Sequence, residues 1–434
     1  MKRLLVGLTV FVFLAAHAVA EQPLYPQRTA VERGKTLRTD PWIETLEREV
    51  PPLKNRPPAD RLPMIMWHGV GFQPLSLQQL GVLRDRGLTQ HLQLDESMIP
   101  AALALQKAGM KVILMQGRTD NWPYSLAEKP DDWSHQLDLS YQPDWFGKED
   151  AFEWFGACPH KTDGWKVLQR QTLKTVKAFR DAGVNLDGVW MDFEGDPYPW
   201  SHLFEQLQHC KRCRAELPAN IINDKEAWRD DAWQRYVRLY DQHFAKPIRE
   251  VYPDCLVTNW HVVFSTQANP VRYFVREVNL PALSPQYFNA TNPIAYGCDL
   301  TWQSRNTSHL EESASSVDEF YREEILQQVR TDRANREMLG KRNTGQHNDK
   351  QTGKQTGKQT GARSVPWVAR YCKLDPQNRK SPMMTRGAYG SALDQLWKEE
   401  IATMQIFNTM HEGYEEYALM EVQDAVRAYD RSLE

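Results

Sequence analysis

A chain of 434 residues with 41% hydrophobic and 25% charged residues has ample material for a buried core, which excludes an intrinsically disordered tail. Its formal net charge is −3, so binding to nucleic acid through bulk charge is disfavoured. No segment after the amino terminus reaches the roughly 18 consecutive apolar residues a membrane span requires, so no stable membrane insertion is expected.

Residues 1–20 read as a signal peptide. Lys2 and Arg3 make a basic start, Leu4 to Ala16 an apolar run, and Ala18-Val19-Ala20 a cleavage site, which predicts a secreted or periplasmic protein. Residues 21–62 are rich in proline and charge and read as an amino-terminal lead-in lying outside the core. From residue 63 to 434, short apolar or β-branched runs alternate with helical patterns. The strand candidates are Pro63–Gly69, Leu88–Asp95, Lys111–Gln116, Gly188–Glu194, Cys255–Val262, Ala282–Asn289, Val365–Arg370 and Gly413–Leu419. Apolar residues at three- and four-residue spacing predict helices over Leu75–Arg86, Pro100–Gly109, Trp165–Gly183, Ala227–Val251, Ser316–Leu339 and Leu393–Met410. Eight strands alternating with helices predict an α/β fold, a single (β/α)8 TIM barrel. A doubly wound open sheet is the rival, because periodicity does not reveal closure. One insertion interrupts the series: residues 342–363 repeat QTGK and carry no apolar anchor, so a low-complexity mobile loop is expected between strands six and seven.

The stretch most informative about chemistry runs from Asn185 to Tyr198. Alternation along a strand puts Val189, Met191 and Phe193 on one face and Trp190, Asp192 and Glu194 on the other. In a barrel the second face looks inward, and its carboxyl end is where such enzymes carry their reactive groups. Two acids this close drive their pKa values apart, leaving one protonated as a general acid and the other ionised. Ion pairing or helix capping is the plainer use of strand-end acids.

Asp187-Gly188-x-x-x-Asp192-x-Glu194 resembles the D-G-x-D-x-D-x-E strand of chitinase-like glycoside hydrolases of family 18, and Asp-x-Glu here is also similar to hyaluronidase-type enzymes. That resemblance implies Glu194 as acid/base and Asp192 as the carboxylate that orients an acetamido group. Trp190 stands where the family has its middle Asp. Gly188-Val189-Trp190-Met191-Asp192 resembles, more weakly, the G-[IV]-W-x-D of family 31 α-glucosidases, which implies Asp192 as a nucleophile. Both imply glycosidic-bond hydrolysis in an oligo- or polysaccharide without a cofactor; a non-catalytic carbohydrate-binding barrel is the alternative from another class. Residues two apart on a strand lie about 6.6 Å apart, so Asp192 and Glu194 do not face each other across a scissile bond. Either the substrate's own acetamido oxygen attacks, or a second carboxylate comes from Asp95, Asp120, Glu415 or Glu416.

A sugar site needs flat aromatic faces and a few fixed polar groups. The predicted strand ends offer Trp67, His68, Asp95, Arg118, Trp190, Tyr198, Trp260, His261, Tyr287 and Trp367. Core packing is the competing use of Trp67 and Trp367. Tyr287 also resembles the sixth-strand tyrosine of family 18. Among six cysteines, Cys158 and the Cys210-x-x-Cys213 pair are expected in neighbouring loops, with Cys158 bridged to one of the pair, as is normal in an exported chain. With His160 or His209 they make a zinc site of three cysteines and a histidine as the second choice. Cys255, Cys298 and Cys372 read as buried thiols.

Overall fold

The computed structural model describes residues 39–66, 74–116, 163–191, 215–261, 286–296, 322, 330, 363–370, 385–399, 401–407 and 415–434. Its strands are β1 (Met64–Met66), β2 (Leu88–Gln90), β3 (Leu92–Gln93), β4 (Ile113–Gln116), β5 (Gly188–Met191), β6 (Leu256–His261), β7 (Ala290–Tyr296), β8 (Arg363–Ser364), β9 (Trp367–Ala369) and β10 (Gln405–Ile406). The helices used below are α1 (Thr39–Glu49), α2 (Leu77–Arg84), α3 (Ile99–Lys107), α4 (Asp163–Asp181), α5 (Lys225–Tyr240), α6 (Lys246–Val251), α7 (Arg386–Lys398) and α8 (Glu415–Arg431). A π-helical turn, Asp241–Ala245, joins α5 to α6.

Local chemistry sets the ends. Ser76 and Gln79 close a reciprocal capping box at the start of α2, satisfying N–H groups that the first helical turn cannot. Gly87 turns the chain from α2 into β2 at φ 66°, with the Tyr429 ring so near that a Cβ would lie 2.6 Å from it. Only glycine meets both demands.

Among the described residues every strand pairing is parallel. The sheet runs β2-β1-β10-β9-β7-β6-β5-β4-β3, with β8 beside β7. Its two end strands, β2 and β3, are separated in the chain by His91 alone. Buried side chains fall into two groups. The larger lies between sheet and helices and includes Met64, Met66, Leu88, Leu92, Leu114, Val189, Val257, Val368 and Ile406 together with the helix faces. The smaller unites Ile65, Ile113, Met115, Trp190 and Val365, residues one step out of phase with the first set on β1, β4, β5 and the approach to β9. The neighbouring pair β4 and β5 lies far along the sheet path from β1 and β9, yet the side chains of both groups meet.

The chain is therefore α/β with parallel pairing, as expected, and several predicted elements need correction. The sixth strand is Ala290–Tyr296, not Ala282–Asn289. Asp241, buried in the π-helical turn, accepts the backbone N–H groups of Gln286, Tyr287 and Phe288 at 3.0, 2.8 and 3.0 Å, and bonds spent on a carboxylate are not available to a sheet. The last strand is Gln405–Ile406, inside the range predicted as a helix, and Gly413–Leu419 is not a strand, because Glu415 opens the 17-residue α8. In α8, Ala418, Val422, Ala425, Val426 and Tyr429 line a buried stripe at helical spacing. The described part of the lead-in contributes to the core rather than wrapping it: Trp42, Ile43, Leu46 and Val50 are buried along α1 and just after it. The repeat-bearing segment ends before residue 363, since Arg363 pairs with Ala290. The helix expected over Ser316–Leu339 falls almost wholly outside the described residues, as do residues 1–38. Among the described residues no helix is long and apolar enough to cross a membrane.

Candidate functional site

β5 is the strand around which the candidate site is built. It lies between β4 and β6, with Met115, Trp190 and Thr258 abreast. At its amino end Asp187 accepts the Val112 N–H at 2.9 Å and pairs with Lys111 at 3.0 Å, which fixes the start of β5 against β4. The Asp of the Asp187-Gly188 pair is thus a register clamp. Val189 packs toward the helices and Trp190 into the smaller cluster, the alternation expected from the sequence. Trp190 is 3% exposed and meets the His91 ring edge-on, centroids 6.2 Å apart.

The other candidate residues fall in different places. Asp95 follows β3, is half-buried, and caps a short 3-10 turn by accepting the Ser97 N–H at 2.8 Å. Trp367 is 2% exposed and stacks on Phe407, centroids 5.4 Å apart. Neither Trp190 nor Trp367 offers an open ring face, so both are packing residues here. Tyr287 lies three residues ahead of β7, at its amino end and so away from the carboxyl ends, with the Lys246 ammonium 5.8 Å from its ring. The β6 backbone sets Trp260 beside Asn292 and His261 beside Pro293. Glu415 and Glu416 belong to α8, not to a strand. Trp67, His68, Arg118, Asp120, Asp192, Glu194, Tyr198, Cys158, His160, His209, Cys210, Cys213, Cys298 and Cys372 lie outside the described residues. Cys255 is a buried free thiol, as expected, and burial raises its pKa. Among the described residues no group of three His, Cys, Asp or Glu could hold a metal ion.

Sequence reasoning missed several buried polar residues. His91, Asn292 and Gln405 are almost completely enclosed, on the sheet face that carries Trp190. Parity along the correct strands identifies them, but Asn292 and Gln405 lay outside the predicted strands. Glu421 of α8 is fully buried and accepts the Arg370 N–H at the carboxyl end of β9 at 2.5 Å. Burial pushes its carboxyl up to about 8, against the opposing pull of that N–H and of the Arg370 charge.

No family model and no curated protein matches the chain. Solved structures do. The glycoside hydrolase domain of PgaB (BpsB) from Bordetella bronchiseptica is 11% identical over 83% of this chain and 97% of that one, with a TM-score of 0.43. The catalytic domain of β-amylase from Paenibacillus polymyxa is 9% identical over 82% and 96%, at 0.41. A chitinase from Rhizomucor miehei is 11% identical over 76% and 86%, at 0.32. These carbohydrate-acting proteins are what the chain is similar to; at such identities and TM-scores the functional reading rests on the chain's own residues.

Proposed function

We propose that the chain is an exported (β/α)8-barrel enzyme that hydrolyses glycosidic bonds in an oligo- or polysaccharide, with Glu194 as general acid/base and Asp192 as its supporting carboxylate. Export is supported by the character of residues 1–20. Closure is supported by the His91 junction between the two end strands and by the register. Carried from Gln93 through Met115, Trp190, Thr258, Ala290 and Arg363, and on by the same offsets to positions 401 and 61, the register returns to position 85. That is eight residues back along the starting strand, and a shear of about 8 characterises this barrel class.

The observation that carries the functional reading is the facing of β5. Trp190 points inward, and the two-residue strand period read from the sequence would put Asp192 and Glu194, which lie past the last described residue of β5, on the same face toward the carboxyl end, where barrel enzymes do their chemistry. On this reading Trp190 and Trp367 are the floor beneath the reacting sugar rather than its stacking platform. Attack by the substrate's own acetamido group, steadied by Asp192, fits two carboxylates on one strand better than a facing pair does. In the test, Glu194→Gln lowers turnover of a responsive oligosaccharide at least about 100-fold, the scale of general acid catalysis, with an unchanged unfolding midpoint. Undiminished turnover sinks the assignment. Trapping a sugar ester on Asp192 would move the nucleophile there.

A further inference from the structure

We propose that the interior of the strand layer contains a hydrated polar site, formed by His91, Trp190, Asn292 and Gln405, that takes ordered water as its ligand. The inference rests on the closed-barrel reading above. In the register, Gln405 is abreast of both Ile65 and Trp367, and Ile294 is abreast of Trp367, so Gln405 and Asn292 share the face that Ile65 and Trp190 present. When the shear equals the strand number, residues at one height advance by one position per strand. His91, Trp190, Asn292 and Gln405 satisfy this: each lies two residues past the register partner of the one before it, on alternate strands around the circle. The layer beneath, by the same rule, is Ile65, Ile113, Thr258 and Val365. Three of those four belong with Trp190 in the smaller buried cluster, and the His91–Trp190 ring contact joins two members of the polar layer directly.

The chemistry of this layer is unusual for a barrel interior. All four side chains are at most 3% exposed and all are polar or carry a polar atom. Among the described residues, Trp190 Nε1 and both Gln405 amide atoms have no protein partner. Each buried polar atom left unmet costs about 1–3 kcal/mol, so three in one plane would not persist dry. One water accepting from the indole N–H and donating to Gln405 Oε1, and a second accepting from the Gln405 amide NH2, meet all three, each within the about three bonds a buried water makes. No charged side chain belongs to the layer, so the ligand is neutral. Ile65, Ile113 and Val365 lie in the layer below, and Met115 and Trp367, two residues past Ile113 and Val365, lie in the layer above.

The experiment is a high-resolution crystal structure of the full chain, paired with ¹⁷O relaxation dispersion, which counts long-lived internal water. Water density within hydrogen-bond distance of both the Gln405 amide and Trp190 Nε1 is expected. The long-lived signal should fall in Gln405→Met, and in Trp190→Phe, which removes one N–H and keeps a large ring. A barrel in which Gln405 bonds directly to His91 or Asn292 with no water between them overturns the inference, as does a long-lived signal unchanged in both variants. An open sheet would instead overturn the barrel reading, so the two failures are distinguishable.

Discussion

Glu421 shows how a single enclosed carboxyl makes a fold sensitive to pH. Its pKa is raised first by burial, then by the Asp424 charge; the Arg370 N–H and the Arg370 charge oppose the rise without cancelling it. Between its ordinary value near 4.5 and about 8, the native state holds a proton that the unfolded chain has released. Stability therefore falls as pH rises through that window, and the full penalty, several kcal/mol in order of magnitude, is present above it. Glu421→Gln keeps the acceptor for the Arg370 N–H and removes the titration. The variant should be more stable than the parent at pH 9, with the difference fading toward pH 5. Urea unfolding midpoints across that range check this, and parallel pH profiles for the two proteins would refute it. Asp424 is different: it is nearly buried but receives the Arg386 guanidinium at 2.7 Å, so its charge is matched.

At the scale of elements, what the sequence disclosed depended on whether one residue pattern had one physical use. Lys111–Gln116 and Gly188–Glu194 both contain strands as expected, and their described cores, Val112 to Gln116 and Val189 with Trp190, are buried on both faces, a pattern strands share with little else of that length. The sixth strand was hidden because Ala290–Tyr296 contains Pro293 and the polar Thr291 and Asn292, while the aromatic run before it looks more strand-like. That run is held instead by Asp241, a partner 45 residues away that no local pattern discloses. The last strand has only two residues, too few to show a period, and the short tyrosine-bearing run Gly413–Leu419 masks the start of a helix whose stripe emerges only over 17 residues. The inward alternation of Trp190 was legible from the sequence; the burial of the Trp190 and Trp367 rings was not, because enclosure is set by neighbours from other strands. Asp241 also gives a prediction at this scale. It accepts three N–H groups in a largely buried setting, so Asp241→Ala leaves three donors to find new partners. Loss of about 2–4 kcal/mol is expected, read as a lower unfolding midpoint with Asp241→Asn intermediate. Equal midpoints for the parent and both variants would show that the approach to β7 is held by other means.

At the scale of the whole molecule, the register ties residues from one end of the chain to the other: β10 lies beside β1, and Asp430 of α8 accepts the backbone N–H groups of Lys54 and Asn55 at 3.0 and 2.9 Å. A fold joined this way should tolerate change in a long connection far better than change in a strand. The connection from Tyr296 to Arg363 carries the QTGK repeats, and Arg363 marks where pairing resumes against Ala290. Deleting residues 343–360 shortens that connection by about a quarter, which by loop-closure entropy alters stability by only about 0.3 kcal/mol. The unfolding midpoint and any hydrolytic activity should stay at parental values. Extending the deletion through Val365 removes the β8 pairing and a fully enclosed member of the inner cluster, and losses of several kcal/mol are expected. Comparing the two deletions by chemical denaturation separates a spacer from a strand. A large loss from the shorter deletion would mean that the repeats make contacts the fold depends on.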